Sequence, residues 1–198
     1  MRISDIEIHE FDYEVERTGT VGGNWVYDPD STLEPPGFVL TIRTADGTEG
    51  HYRGFAFTPP SIAQVKMVAE EHLLGRDPLE RRGIWQDCWR ALRHTDHFGL
   101  GAIDVALWDL AGNHHDASVS TLLGGDRDSL PTYASTMFVD DNDGLDGPEA
   151  FADYAETCLD RGYEGFKFHG HPEVRPEVDV AICEALADRV GSEMALMI

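Results

Sequence analysis

From residue 130 onward the chain repeats one pattern, and that pattern limits what it can fold into. LPTYASTMF (130–138), GFKFHG (165–170) and MALMI (194–198) are short apolar runs of strand character. Between them lie PEAFADYAETCLDRG (148–162) and PEVDVAICEALADRVG (176–191), each opened by proline and closed by glycine, as helices are. Strand starts at 130, 165 and 194 are 35 and 29 residues apart. A crossover of that length with a helix inside it joins parallel strands, so the pattern predicts a βαβαβ sheet. Such a sheet is either part of a (β/α) barrel or a small open sheet. MALMI has no turn, cap or polar tail, so the chain is expected to continue past Ile198.

The first half follows different rules. ISDIEIHEFDY (3–13) alternates polar and apolar, FVLTIRT (38–44) is a second strand, and ADGT (45–48) turns the chain into a return strand over 49–57. Helices are predicted over 59–74, opened by Pro59 and Pro60, over 77–93, with Asp77 as cap and Pro78 at the first helical position, and over 99–115. The Gly-, Pro- and Asp-rich stretch 18–37 is expected to be a long loop of functional character. The expected division is an α+β domain over 1–125, a strand meander and then helices, and a parallel βα unit over 126–198.

Charge narrows the partners. With 37 acidic and 15 basic residues the net charge is −22, which repels nucleic acid and anionic membranes. The acids are spread over the whole length, and lysine is reduced to Lys66 and Lys167 against thirteen arginines. A spread acidic coat poor in lysine is expected of a protein adapted to high salt, where screening relieves self-repulsion. The alternative is an ordinary acidic cytoplasmic protein. Cys88, Cys158 and Cys183 form no CxxC motif, and Cys158 and Cys183 are expected as buried free thiols in helices. MRISDIEIHEFDY lacks the apolar block of a signal peptide, no stretch is long and apolar enough to span a membrane, and a cytoplasmic location is expected.

Lysine scarcity directs attention to EGFKFHGHP (164–172). Residues two apart in a strand share a face, so Lys167 and His169 project together while Phe166 and Phe168 project the other way. Flanking phenylalanines need a covered face, which argues against an exposed edge lysine. Where surface lysine has been replaced by Arg, Asp and Glu, a retained one is expected to do what arginine, always protonated, cannot. Two basic groups side by side at a strand end can hold a carboxylate, and one can act as a base. His171, past the strand and before Pro172, is a further candidate for substrate contact. His94 and His97 lack a third ligand, His114 and His115 suit a helix C-terminus, and Asp104 and Asp109 fall on different helical faces. No phosphate-loop, dinucleotide or nucleophile-elbow motif is present.

AIDVALWDLAGNHHDASVSTLLGG (102–125), followed by the strand at LPTYAST, a helix and GFKFHG, resembles the enolase superfamily, and within it the mandelate racemase/muconate lactonizing branch. The resemblance runs over essentially the whole chain. It implies an α+β capping domain followed by the first three strands of a (β/α) TIM-type barrel, with the barrel incomplete in this chain. It also implies abstraction of the proton next to a substrate carboxylate, through an enediolate held by Mg²⁺. Lys167 matches the first lysine of the family's Lys-x-Lys strand and His169 stands in the second place, a departure from the commonest pattern. Either His169 is the base, or it positions substrate for a base elsewhere. The family's three carboxylate ligands sit at the ends of the third, fourth and fifth barrel strands, so metal ligands are expected beyond Ile198 and none within the chain. The stretches 18–37 and Arg53–Phe57 would cap the mouth, with Trp25, Tyr27 and Arg53 as candidate substrate contacts. The implied partner is a small-molecule carboxylate, and the implied assembly is a homo-oligomer. Dehydration of a sugar acid is expected first, racemisation, epimerisation or cycloisomerisation of a carboxylate next. A non-catalytic remnant that binds ligand is the alternative of another class.

Overall fold

The computed structural model describes residues 1–54, 58–139 and 144–198. In chain order the strands are β1 (Ile3–Asp12), β2 (Val15–Val21), β3 (Asn24–Leu33), β4 (Pro36–Thr44), β5 (Glu49–Gly54), β6 (Ala134–Phe138), β7 (Gly165–His169) and β8 (Ala195–Met197). The helices are α1 (Thr58–Val68), α2 (Arg81–Ala91), α3 (Phe98–His115), α4 (Val119–Leu122), α5 (Pro148–Asp160) and α6 (Pro176–Val190). They form two compact units, one of residues 1–13 and 35–126, the other of 14–34 and 127–198.

In the first unit, β1, β4 and β5 form an antiparallel sheet in that order. Phe38, Leu40 and Ile42 alternate along β4 and enter one core with Ile62, Val65, Ile84, Ile103 and Leu107 from the helices. α3 lies so close to β5 that a Cβ on Gly50 would stand 2.1 Å from the Ala106 carbonyl oxygen. The predicted helix over 59–74 is α1 running into a π-helical turn over Ala69–Leu73. Asp77 does not cap α2. Its carboxylate accepts the Leu79 N–H at 3.0 Å, closing a turn before the helix, which starts at Arg81.

The second unit is a five-stranded sheet in the order β2-β3-β6-β7-β8. β6, β7 and β8 are parallel, as the spacing predicts, with Ala134 opposite Phe166 and Lys167 opposite Met197. α5 and α6 cover one face, where Phe151, Phe166, Phe168, Ile182 and Leu186 form the core. Gly162 behind α5 has φ 90°, the left-handed cap that suits glycine.

The largest departure from expectation is the stretch 18–37. It is not a loop but mostly a hairpin, β2 against β3. Gly22 and Gly23 turn it, with φ 56° and 83°, the geometry that two-residue hairpin turns require. The hairpin groups with the second unit and not with the first 125 residues, because β3 joins the parallel sheet beside β6 through Val26 opposite Phe138. The expected return strand over 49–57 is seen as β5 to Gly54, and its remainder, including Phe57, lies outside the described residues.

Candidate active site

Strand β7 carries the site's chemistry because its two faces meet different surroundings. Phe166 and Phe168 are buried, and the Phe168 ring meets Phe151 of α5 edge-on at 5.7 Å. That packing fixes the strand's orientation and leaves Lys167 and His169, both half-buried, on the opposite face. Their side chains meet, with Lys167 Nζ 3.3 Å from His169 Nε2.

The neighbouring strand sets the histidine's chemistry. His169 Nδ1 lies 2.8 Å from the Thr136 carbonyl oxygen. A carbonyl only accepts, so Nδ1 carries the hydrogen and the neutral ring keeps its lone pair on Nε2. That lone pair faces Lys167, whose ammonium donates to it. Phe138 stands against the imidazole, ring centres 4.8 Å apart. Lys167 is paired across the sheet with Ser135. The arrangement offers one cation and one proton-accepting nitrogen side by side at the end of a parallel strand.

His171 follows in the loop after β7, but its ring is committed elsewhere. Only 7% of the residue is exposed. Its Nδ1 accepts the Glu173 N–H at 3.1 Å, and Nε2 faces the Arg175 guanidinium, with Nε at 3.0 Å. The His171 N–H donates to Asp179 of α6 at 2.8 Å. A Cβ at Gly170 would stand 2.9 Å from the Asp179 carboxylate and would push it aside from the His171 N–H. These contacts make His171 the organiser of its loop, and they leave no ring nitrogen for substrate.

Trp25 and Tyr27 lie on β3, either side of the buried Val26. Trp25 is partly exposed, and the Tyr27 hydroxyl accepts from Arg17 at 2.5 Å. A cleft of about 350 Å³ in this unit is lined by Tyr27, Thr136, Phe138 and Tyr154 among others, but by neither Lys167 nor His169. Arg53 belongs to the first unit, where its guanidinium rests 5.8 Å and 5.6 Å from the rings of Phe11 and Tyr13. Of the candidate residues, the structure thus brings Lys167 and His169 into contact and gives the others separate surroundings.

Among the described residues no group of three or more His, Cys, Asp or Glu side chains could hold a metal ion. His97 stacks on Trp89, ring centres 5.7 Å apart. Asp109 accepts the His51 N–H at 2.8 Å and so ties α3 to β5. Burial raises the Asp104 carboxyl above the usual range, and nearby Arg81 opposes this. Thr136, Phe138 and Asp179 shape the site and were not singled out from sequence. Thr136 acts through its backbone, which no residue type announces.

Residues 31–124 match the family model for the mandelate racemase / muconate lactonizing enzyme N-terminal domain. A D-galactarolactone cycloisomerase from Agrobacterium fabrum is 33% identical over 169 residues, covering 81% of this chain and 43% of that protein. A D-gluconate dehydratase from Thermoproteus tenax is 34% identical over 115 residues, 55% of this chain and 22% of that protein. The crystal structure of a D-glucarate dehydratase from Agrobacterium tumefaciens, complexed with magnesium, superposes with a TM-score of 0.86 at 33% identity, over 100% of this chain and 53% of that one. The chain therefore spans about half the length of such relatives or less. With this family match and these relatives, the chain belongs to the enolase superfamily, in its mandelate racemase/muconate lactonizing branch.

Proposed function

We propose that this chain contributes the proton-abstracting face of an enzyme that removes the hydrogen next to the carboxylate of a sugar acid, with dehydration as the outcome. One observation carries the reading: Lys167 Nζ and His169 Nε2 stand 3.3 Å apart on one strand face, with the imidazole hydrogen held on Nδ1. In this reading Lys167 holds the substrate carboxylate as an ammonium. His169 Nε2 receives the α-proton, and the Thr136 carbonyl stabilises the resulting imidazolium through Nδ1–H. A positioned general base contributes about 10²–10⁴-fold in rate. β6, β7 and β8 serve as the first three strands of a (β/α) barrel, and the β2–β3 hairpin with Trp25 and Tyr27 contributes to substrate selection.

Magnesium accompanies a related dehydratase structure. The described residues offer no metal-binding set of their own. A resident Mg²⁺ would therefore need carboxylates from outside them, and no step here runs through the metal.

Cycloisomerisation is the second reading, favoured by the cycloisomerase matched over 81% of this chain. It shares the proton abstraction and differs in the group that leaves. The test is proton NMR of D-gluconate, galactarate and galactarolactone with the protein, isolated with its natural ends, in D₂O containing MgCl₂. Loss of the α-hydrogen signal with a 2-keto product supports dehydration. α-Hydrogen loss with lactone consumed and no water eliminated supports the second reading. Binding of these acids without exchange would mean a carboxylate-binding module and no enzyme.

A further inference from the structure

Helix α2 opens against the rule for helix ends. Amide dipoles leave a partial positive charge at a helix N-terminus, and acids stabilise it there. The first turn of α2 instead holds Arg81 and Arg82, with no acid in it and no side chain capping it. Its amides reach no carbonyl until Ile84, which donates to Glu80 at 3.0 Å. The acids nearby are committed elsewhere. Asp77 accepts the Leu79 N–H, Glu80 meets Arg76 at 3.5 Å, and Asp87 is shared by Arg76 and Arg90.

Both arginines are left without a side-chain hydrogen bond or ion pair among the described residues. Arg81 is half-buried, with its guanidinium carbon 3.9 Å from the centre of the Trp108 ring and its Nε buried and unbonded. A cation withdrawn from water and given no acceptor is costly, so it points to an anion that binds there. Asp104 is close enough to feel Arg81, but the two form no ion pair among the described residues, and burial raises the Asp104 carboxyl above the usual range. Arg81, Arg82, Trp85, Gln86, Asp104 and Trp108 line one cleft of about 520 Å³. Trp85 is 39% exposed, and its stack on Trp89, at 6.4 Å and 14°, holds the indole in place.

We propose that this cleft binds a small molecule with a flat ring that carries an oxyanion, either a carboxylate or a phosphate. The guanidinium fork of Arg81 matches both groups, and its place over Trp108 fixes the fork before the ligand arrives. The unbonded amides of the first turn add donors and the positive end of the helix dipole. Arg82 adds a second charge, which an anion needs in order to approach a chain of net charge −22. The exposed indole of Trp85 gives the ring a surface to stack on. The site lies wholly in the first unit, apart from Lys167 and His169 in the second, and does not depend on their reading.

NMR of the tryptophan indole N–H groups tests it, on ¹⁵N-labelled protein with its natural ends, titrated at low ionic strength with benzoate, phenyl phosphate and inorganic phosphate. The expected result is that benzoate or phenyl phosphate shifts the Trp85 and Trp108 signals to saturation and leaves Trp25 unmoved. The tighter of the two probes tells which oxyanion the site prefers, and either preference supports the proposal. The dissociation constant should rise about 10-fold or more in Arg81→Gln, the loss of a charged hydrogen bond. It should also rise in Arg82→Gln, an exposed position where the fold is not at risk. Trp85→Ala should weaken both ring-bearing probes. Unmoved Trp85 and Trp108 signals overturn the proposal, as do dissociation constants indifferent to both arginine variants. Inorganic phosphate binding as tightly as phenyl phosphate, with benzoate not binding, removes the ring from the ligand and overturns it too.

Discussion

Two atoms on β7, the ammonium of Lys167 and Nε2 of His169, carry the chemical argument, and both were legible in the sequence. Period-two alternation with two flanking phenylalanines suffices to put them on one face. The tautomer of His169 was not legible, because it depends on which carbonyl of β6 lies opposite, and register is a tertiary property. The surroundings of His171 are not legible for a similar reason. Arg175 reaches its ring and Asp179 of α6 accepts its backbone N–H, and only the fold of that loop brings both to it. The cysteines give a test at this scale. Cys183 is exposed on α6, contrary to the buried thiol expected there, while Cys88 is buried. Burial, helped by Asp87, pushes the Cys88 thiol up to about 11. In a thiol-reactive dye assay at pH 8 Cys183 should label first and Cys88 only on unfolding. Labelling of Cys88 in the native protein at the rate of Cys183 would contradict the packing of α2.

Helices and parallel strands declared themselves through proline, glycine and spacing, and the structure follows those boundaries within a few residues except at α2. The β2–β3 hairpin escaped because the prolines and aspartates of the stretch 18–37 suggest a loop, although VGGN (21–24) is the signal of a two-residue turn. At this scale Gln64 is a sharp probe. Its buried side-chain oxygen accepts the Gly99 N–H at 2.8 Å, satisfying a backbone donor at the start of α3. Gln64→Leu leaves that donor unpaired and should destabilise the first unit by about 1–3 kcal/mol in chemical denaturation. In the second unit Phe166→Ala removes a fully buried ring between α5 and the sheet and should cost about 3–5 kcal/mol. A loss under about 1 kcal/mol from either variant would mean that these contacts do not hold as described.

For the whole molecule, charge is the dominant quantity. Arg189 answers three acids of α5, Glu149, Asp153 and Glu156, at 2.7–3.3 Å. The chain has 37 acids and only 15 lysines and arginines to answer them. Salt at about 1 M shortens the screening length to about 3 Å and should quiet their repulsion. The melting temperature is therefore expected to rise by several degrees between 0.1 M and 2 M KCl, measured by calorimetry. A flat or falling curve would remove the case for adaptation to high salt.

The account turns on the Lys167–His169 pair, and the most direct measurement is α-hydrogen exchange with D₂O in the His169→Asn and Lys167→Met variants. It should be followed by NMR with whichever sugar acid the wild-type protein turns over. His169→Asn should lower the exchange rate by about 10²–10⁴-fold with KM little changed, since the base is removed and the cation kept. Lys167→Met should raise KM as well as slow exchange. Exchange at the wild-type rate in both variants would contradict the account and place the base elsewhere.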